Sequence, residues 1–184
     1  MIKNNLKPII YKDTKIVILG TFPSVKSREA WYYHNPKNQF WAIMSLIFND
    51  KSILTTNEYC NNADLINSRK IFLKNKQIGL WDMIESCEID ASRDNSIKNP
   101  KYNNIAALMK KCPNLKYIAF SSKKAFFYYK DYLKKSIKDK NIELWLKHMT
   151  NNGENILPSP SSANARLNLK EKVCKWKNIL QIYE

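Results

Sequence analysis

KIVILGTFPSVKSREAWYYHNPKNQFW, residues Lys15 to Trp41, decides how the rest of the chain is read. Ile16-Val17-Ile18-Leu19 is a short, unbroken, β-branched apolar run, as expected of a strand buried on both faces of a parallel sheet. Gly20 ends the run, and Pro23 denies the next turn a regular ladder. Flat rings and amides follow: Phe22, Trp31, Tyr32, Tyr33, His34, Asn35, Asn38 and Gln39. Ligands of open α/β sheets bind beyond the carboxyl ends of the strands. The stretch therefore predicts a pocket for a planar molecule with polar edges, and a nucleobase has that shape.

Further strand and helix patterns surround this one. FWAIMSLIF, from Phe40, is apolar on every side and predicts a buried helix. Asn38 falls at or just before its start, where a side-chain amide commonly caps free N–H groups. Residues 52–76 predict a surface helix with Tyr59, Leu65, Ile66 and Phe72, and Ile78 to Ile84 a second strand or strand end. Ser86 to Lys101 has no period and predicts a long loop. Asn104 opens a helix with Ile105, Leu108 and Met109 on one face. Tyr117-Ile118-Ala119-Phe120 is another buried strand, ending in Ser121-Ser122-Lys123-Lys124 ahead of a helix striped by Phe126, Tyr129 and Leu133. A helix start after a serine pair can bind an anion; an ordinary serine cap is the plainer role. Ile142 to Leu146 alternates and predicts an edge strand, followed by a turn at Asn151-Asn152-Gly153. The last helix carries Leu169, Val173, Trp176, Leu180 and Tyr183 at helical spacing, with Asn168 and Glu171 as a capping box.

This alternation predicts an α/β fold, a three-layer sandwich with a small, about four-stranded parallel sheet between helices. The loops after Leu19, Phe120 and Leu157 would converge on one sheet edge. At 184 residues, 44% of them hydrophobic, a single domain over residues 1–184 is expected. The polar, lysine-bearing N-terminus and the lack of long apolar runs predict a cytoplasmic protein without membrane spans. Cys60, Cys87, Cys112 and Cys174 form no CxxC pair, so reduced, mostly buried thiols are expected and no metal or other cofactor. The formal charge of +15 permits a polyanionic partner. All but four of the 31 basic residues are lysine, however, which is equally what a solvated lysine surface contains.

GTFPS at the first strand, YYHNPKNQFW after it, GLWDMIESCE in the middle and LPSPSSANAR near the end resemble the uracil-DNA glycosylase superfamily. They are most similar to its hypoxanthine-DNA (deoxyinosine) glycosylase branch. The resemblance runs in the same order from about Lys15 to Ile179. It implies a monofunctional DNA glycosylase that flips a deaminated base, hypoxanthine or uracil, out of double-stranded DNA and hydrolyses its glycosidic bond without a metal or cofactor, as a monomer. By position, Asn38 would be catalytic. Gly20, Thr21, Phe22, Pro23, Ser24, Tyr33 and Ser121 would bind the base, with Tyr33 stacking on it. Ser122, Lys123, Ser159, Ser161, Ser162, Asn164 and Arg166 would hold the DNA, with Pro158 to Arg166 as the loop that enters the duplex.

The chain also departs from the family pattern. Phe22 stands where mismatch-specific relatives carry a catalytic Asn. Leu157 replaces a loop-opening His, His34-Asn35 replaces Ala-His, and Ser121-Ser122 replaces Asn-Gly. These substitutions motivate the alternative of a catalytically silent nucleic-acid-binding module. A small-nucleotide hydrolase would need a phosphate-gripping glycine loop or paired metal-binding carboxylates, and the sequence has neither. Four other titratable groups are in reach of the motifs: Asp82 (a water-activating base or a structural hydrogen-bonding group, the latter preferred), Glu85, Asp94 and His34 (polarising the base or facing solvent). Lys123, Lys124 and Arg166 are natural phosphate neighbours.

Overall fold

The structure, a computed structural model, describes residues 1–54, 62–89 and 96–181. Its centre is strand β2 (Ile16–Gly20), paired in parallel with β3 (Ile78–Asp82) on one side and β6 (Tyr117–Phe120) on the other. The register sets Gly20 beside Asp82 and Leu19 beside Phe120, so all three strands end at one edge. Alternate residues of β2 enter different cores. Val17 and Leu19 pack with Ile118, Phe120 and Tyr129, whereas Ile16 and Ile18 pack with Phe40, Ile43 and Trp176. Each such side chain, fully buried, contributes roughly 1.5–3 kcal/mol.

Helices cover both faces. Short α1 (Val25–Glu29) lies within the first loop, and α2 (Phe40–Phe48), α3 (Asn62–Asn75) and α7 (Leu169–Gln181) enclose the Ile16/Ile18 core. Short α4 (Leu108–Lys111), α5 (Lys123–Ser136) and α6 (Lys140–Met149) enclose the other. The expected α/β class holds, and among the described residues the parallel sheet has three strands. At the fourth place the chain makes one parallel bridge, between Phe120 and Ile156. The bridge is held by Phe120 N–H to Asn155 O (2.9 Å) and Leu157 N–H to Phe120 O (2.8 Å). Pro158 and Pro160 follow at once, and without N–H groups they cannot extend it.

Three expectations are corrected. Ile142 to Leu146 is helical, within α6; Asp139 caps it by accepting from Asn141 N–H at 2.8 Å. Leu146 and Met149 are buried with Ile142 and Trp145 beside them, while Leu144 points outward, a helical spacing that the short alternation had mimicked. The long loop over Ser86 to Lys101 contains strands. β4 (Ile84–Glu88) pairs antiparallel with β5 (Lys98–Tyr102) and with β1 (Ile2–Lys3), forming a second, three-stranded sheet. Met109 faces solvent and leaves the stripe of buried Ile105 and Leu108.

The last helix starts as read: Asn168 N–H donates to Glu171 Oε2 (2.7 Å) and Glu171 N–H to Asn168 Oδ1 (3.0 Å). Cys87 and Cys112 are buried free thiols and Cys174 an exposed one. Tyr59, Cys60, Asp94 and Tyr183 lie outside the described residues. No helix among the described residues is long and apolar enough to cross a membrane.

Candidate active site

The three loops that leave the parallel strands line one cavity of about 1220 Å3. That exceeds the roughly 300–1,000 Å3 of an ordinary small-molecule pocket, leaving room for more than a single base. Its walls include Gly20 to Ser24, Tyr33, Asn38, Ser121, Ser122, Lys123, Ser159, Ser161, Asn164 and Arg166. Every residue to which the resemblance gives a catalytic, base-binding or DNA-binding place is therefore here except Ser162. Lys124 is here too, whereas His34 and Glu85 are not. His34 instead neighbours Arg69 and Asn62. Burial first, then the Arg69 charge, lowers its pKa, against a hydrogen bond with Asn62.

Asn38 does two things at once. Its Oδ1 accepts the Phe40 N–H at 2.9 Å, securing the first turn of α2, and the residue lines the cavity. The cap and the wall position are compatible because a carboxamide has two ends. With Oδ1 engaged, the Nδ2 hydrogens are the donors left for a ligand.

Tyr33 occupies the left-handed backbone region (φ 52°), costly for a residue with a bulky side chain and tolerated where surroundings over-determine it. Its ring stacks on Phe40 at 4.0 Å between centroids and 3° between planes. One ring face is thus occupied, and a base can stack only on the other. Phe22 is buried beneath the Arg28 guanidinium, 5.3 Å from its ring centre, and Arg28 Nη1 also donates to Pro23 O at 2.7 Å. Ser24 caps α1 by accepting from Ser27 N–H (3.3 Å), and Ser122 caps α5 through Ala125 N–H (3.1 Å). For Ser122 the plain capping role is what the structure shows.

Asp82, read from the sequence preferably as a structural hydrogen-bonding group, makes such a bond and also lines the cavity. It ends β3, is only 5% exposed, and lines the cavity. Its Oδ2 accepts from Asn4 Nδ2 at 3.1 Å, so the N-terminal segment helps to aim it. A methyl on residue 20 would overlap Asp82 Oδ1 and come within 3.4 Å of Tyr33 Oη, so the carboxylate and the phenol both face the bare Cα of Gly20. Burial first, then the Asp82 charge, raises the pKa of Tyr33 above the ordinary phenol range, opposed by a hydrogen bond with Ser121. Burial and the same charge also raise Tyr32, whose hydroxyl is buried with no hydrogen-bond partner. Both phenols are therefore protonated at neutral pH. The place of Asp82 at a strand end and within GLWDMIESCE does not separate a site residue from a structural one.

The proline loop is clamped to the asparagine motif. Gln39 N–H donates to Pro160 O (2.8 Å), and Trp176 Nε1–H donates to Pro158 O (2.8 Å). Lys172, only 1% exposed, donates from Nζ to Gln39 Oε1 at 2.8 Å. Burial lowers its pKa. Replacing a buried charge by an apolar side chain of similar length is often neutral or stabilising. Lys172→Met is therefore expected to keep or raise the Tm in calorimetry while lowering turnover, because Gln39 loses the contact that steadies it against the loop. A fall in Tm with turnover intact would remove this role.

No family model matches the sequence. The chain is 29% identical, over 183 residues covering 98% of it and 99% of the relative, to a hypoxanthine DNA glycosylase of Methanosarcina acetivorans. It is 33% identical to one of Methanosarcina barkeri over 126 residues, covering 68% of this chain and 74% of that one. The chain belongs to the uracil-DNA glycosylase superfamily, in its hypoxanthine-DNA glycosylase branch. A solution NMR structure of a candidate uracil DNA glycosylase from Methanosarcina acetivorans superposes with a TM-score of 0.68 at 27% identity, covering 99% of this chain and 98% of that one. Membership accounts for the shared fold; what the cavity does rests on its own residues. Among the described residues no group of three or more His, Cys, Asp or Glu side chains could hold a metal ion.

Proposed function

We propose that this chain, as a single domain over residues 1–184, is a monofunctional DNA glycosylase. It extrudes a deaminated base, hypoxanthine or uracil, from double-stranded DNA and hydrolyses the N-glycosidic bond, the first step of base excision repair. The observation that carries this reading is that Asn38 shares one cavity with all three strand-end loops. A base inside a duplex is unreachable, so it must be turned out into such a pocket. The names of the relatives, hypoxanthine DNA glycosylases, support the same substrate class.

Bond cleavage builds positive charge on the sugar and negative charge on the departing base. The Asn38 Nδ2 hydrogens donate to the departing base, where a fixed donor stabilises the charge that develops. The second lone pair of Oδ1 can orient water. The free face of Tyr33 stacks on the base, and Thr21, Phe22 and Ser121 complete its walls. Lys123, Lys124 and Arg166 contact phosphates, which position the duplex without specifying its sequence. Ser159, Ser161 and Asn164 keep the inserting loop in shape, for Ser161 N–H donates to Ser159 Oγ (3.3 Å) and Asn164 N–H to Ser161 O (3.0 Å).

Base release from duplexes carrying hypoxanthine, uracil or no lesion tests the reading directly. Release from at least one lesion and none from the undamaged strand is expected. Salt-sensitive binding with no release on any lesion would leave a silent binding module.

A further inference from the structure

Asp82 is the single carboxylate among the described residues that line the cavity, and Lys123, Lys124, Arg166 and Lys175 line it too. A negative group in a groove for DNA repels phosphate, so the part of a nucleotide that it can meet is the sugar or the base. The cost of placing it there is visible in the fold. Position 20 has no side chain because Asp82 Oδ1 occupies the space that one would fill, and Asn4 reaches from the N-terminal segment to orient the other oxygen. Tyr33, the stacking ring, brings its hydroxyl to the same spot.

Building on the glycosylase reading, we propose that Asp82 is the specificity-determining acceptor that reads the ring N–H created by deamination. Adenine presents a bare acceptor at N1; its deaminated form, hypoxanthine, presents N1–H. Cytosine and uracil differ in the same way at N3. An ionised carboxylate is an acceptor only. It bonds the ring N–H of either deaminated base and opposes the lone pair of either parent, which is discrimination by attraction and repulsion together. Guanine and thymine also carry a ring N–H, but in intact Watson–Crick pairs their extrusion costs most, whereas a deaminated base sits in a mismatch. Asn4 holds the carboxylate in register.

The test is an enzyme-by-substrate cycle. Single-turnover kcat/KM is measured for duplexes holding deoxyinosine or N1-methyldeoxyinosine, with wild type and Asp82→Asn. Wild type is expected to prefer deoxyinosine. Asp82→Asn should lose about ten- to a hundredfold on deoxyinosine, the worth of a hydrogen bond to a charged group, and far less on the methylated base. The ratio of the two substrates then shrinks by that factor; the bulk of the methyl cancels. An equal loss on both substrates overturns the proposal and places Asp82 on the attacking water or in the fold. Calorimetric binding of free hypoxanthine, N1-methylhypoxanthine and adenine to wild type needs neither catalysis nor the variant. Preference for hypoxanthine supports the assignment; equal affinity, or no binding of hypoxanthine, overturns it. Wild type that releases no base yet prefers free hypoxanthine would sink the glycosylase reading and keep this one.

Discussion

Asn38→Asp is expected to lower base release by about 10²–10³-fold, the usual cost of removing one donor to a developing anion, while leaving the protein as stable as before. The aspartate retains an oxygen for the Phe40 N–H that Asn38 now accepts at 2.9 Å. Its negative charge at the start of α2 also suits the helix dipole. What it lacks is the Nδ2 donor. Asn38→Ala should lose activity to a similar degree and, in addition, roughly 0.5–2 kcal/mol of stability with the cap. Comparing the two variants by single-turnover kinetics and thermal unfolding separates the roles of the two ends of the carboxamide. Wild-type rates in Asn38→Asp would show that Asn38 serves its helix and nothing else.

Gly20→Ala should damage both stability and turnover. The added methyl overlaps Asp82 Oδ1, so either the carboxylate or the end of β2 must move. Forcing a methyl into a packed site typically costs about 1–3 kcal/mol, a loss of roughly 2–4 °C in Tm per kcal/mol at this size. The same displacement takes Asp82 off its aim and disturbs Tyr33. In the pair Gly20→Ala, Asp82→Ala the obstruction is gone, so the Tm should recover part of its loss instead of falling further. Such non-additivity is the mark of two residues in contact. A Tm unchanged in Gly20→Ala would mean that the carboxylate is not where the structure has it.

Much of this architecture is legible in the chain because several signals coincide at the same residues. Ile16 to Leu19 is apolar, β-branched and followed by Gly20, and it is the central strand. Asn168 and Glu171 form the capping box that their spacing predicts. The reading goes astray where one signal stands alone. IELWL alternates over five residues, too few to distinguish a strand from one face of α6. The second sheet is hidden because β5 (Lys98–Tyr102) is polar and largely solvent-facing, held to β4 through ladder bonds that have no compositional signature. The candidate site was legible through its motifs, whose loops share one wall. Lys172 was not, nor were the contacts of Asp82, since these are tertiary: Asp82 with Asn4 and the bare Cα of Gly20, Lys172 with Gln39, 133 residues away in the chain.

The bridge at Ile156 and the capping box at Asn168 hold the proline segment from both ends, with Pro158 and Pro160 tied to Trp176 and Gln39 in between. Ordering a free backbone costs about 1–2 kcal/mol per residue, and a loop that folded only on contact with DNA would spend its binding energy on that. This one arrives already shaped. On the glycosylase reading proposed above, its grip on a duplex is light at undamaged sites without being slow to engage, as scanning a genome for rare lesions requires.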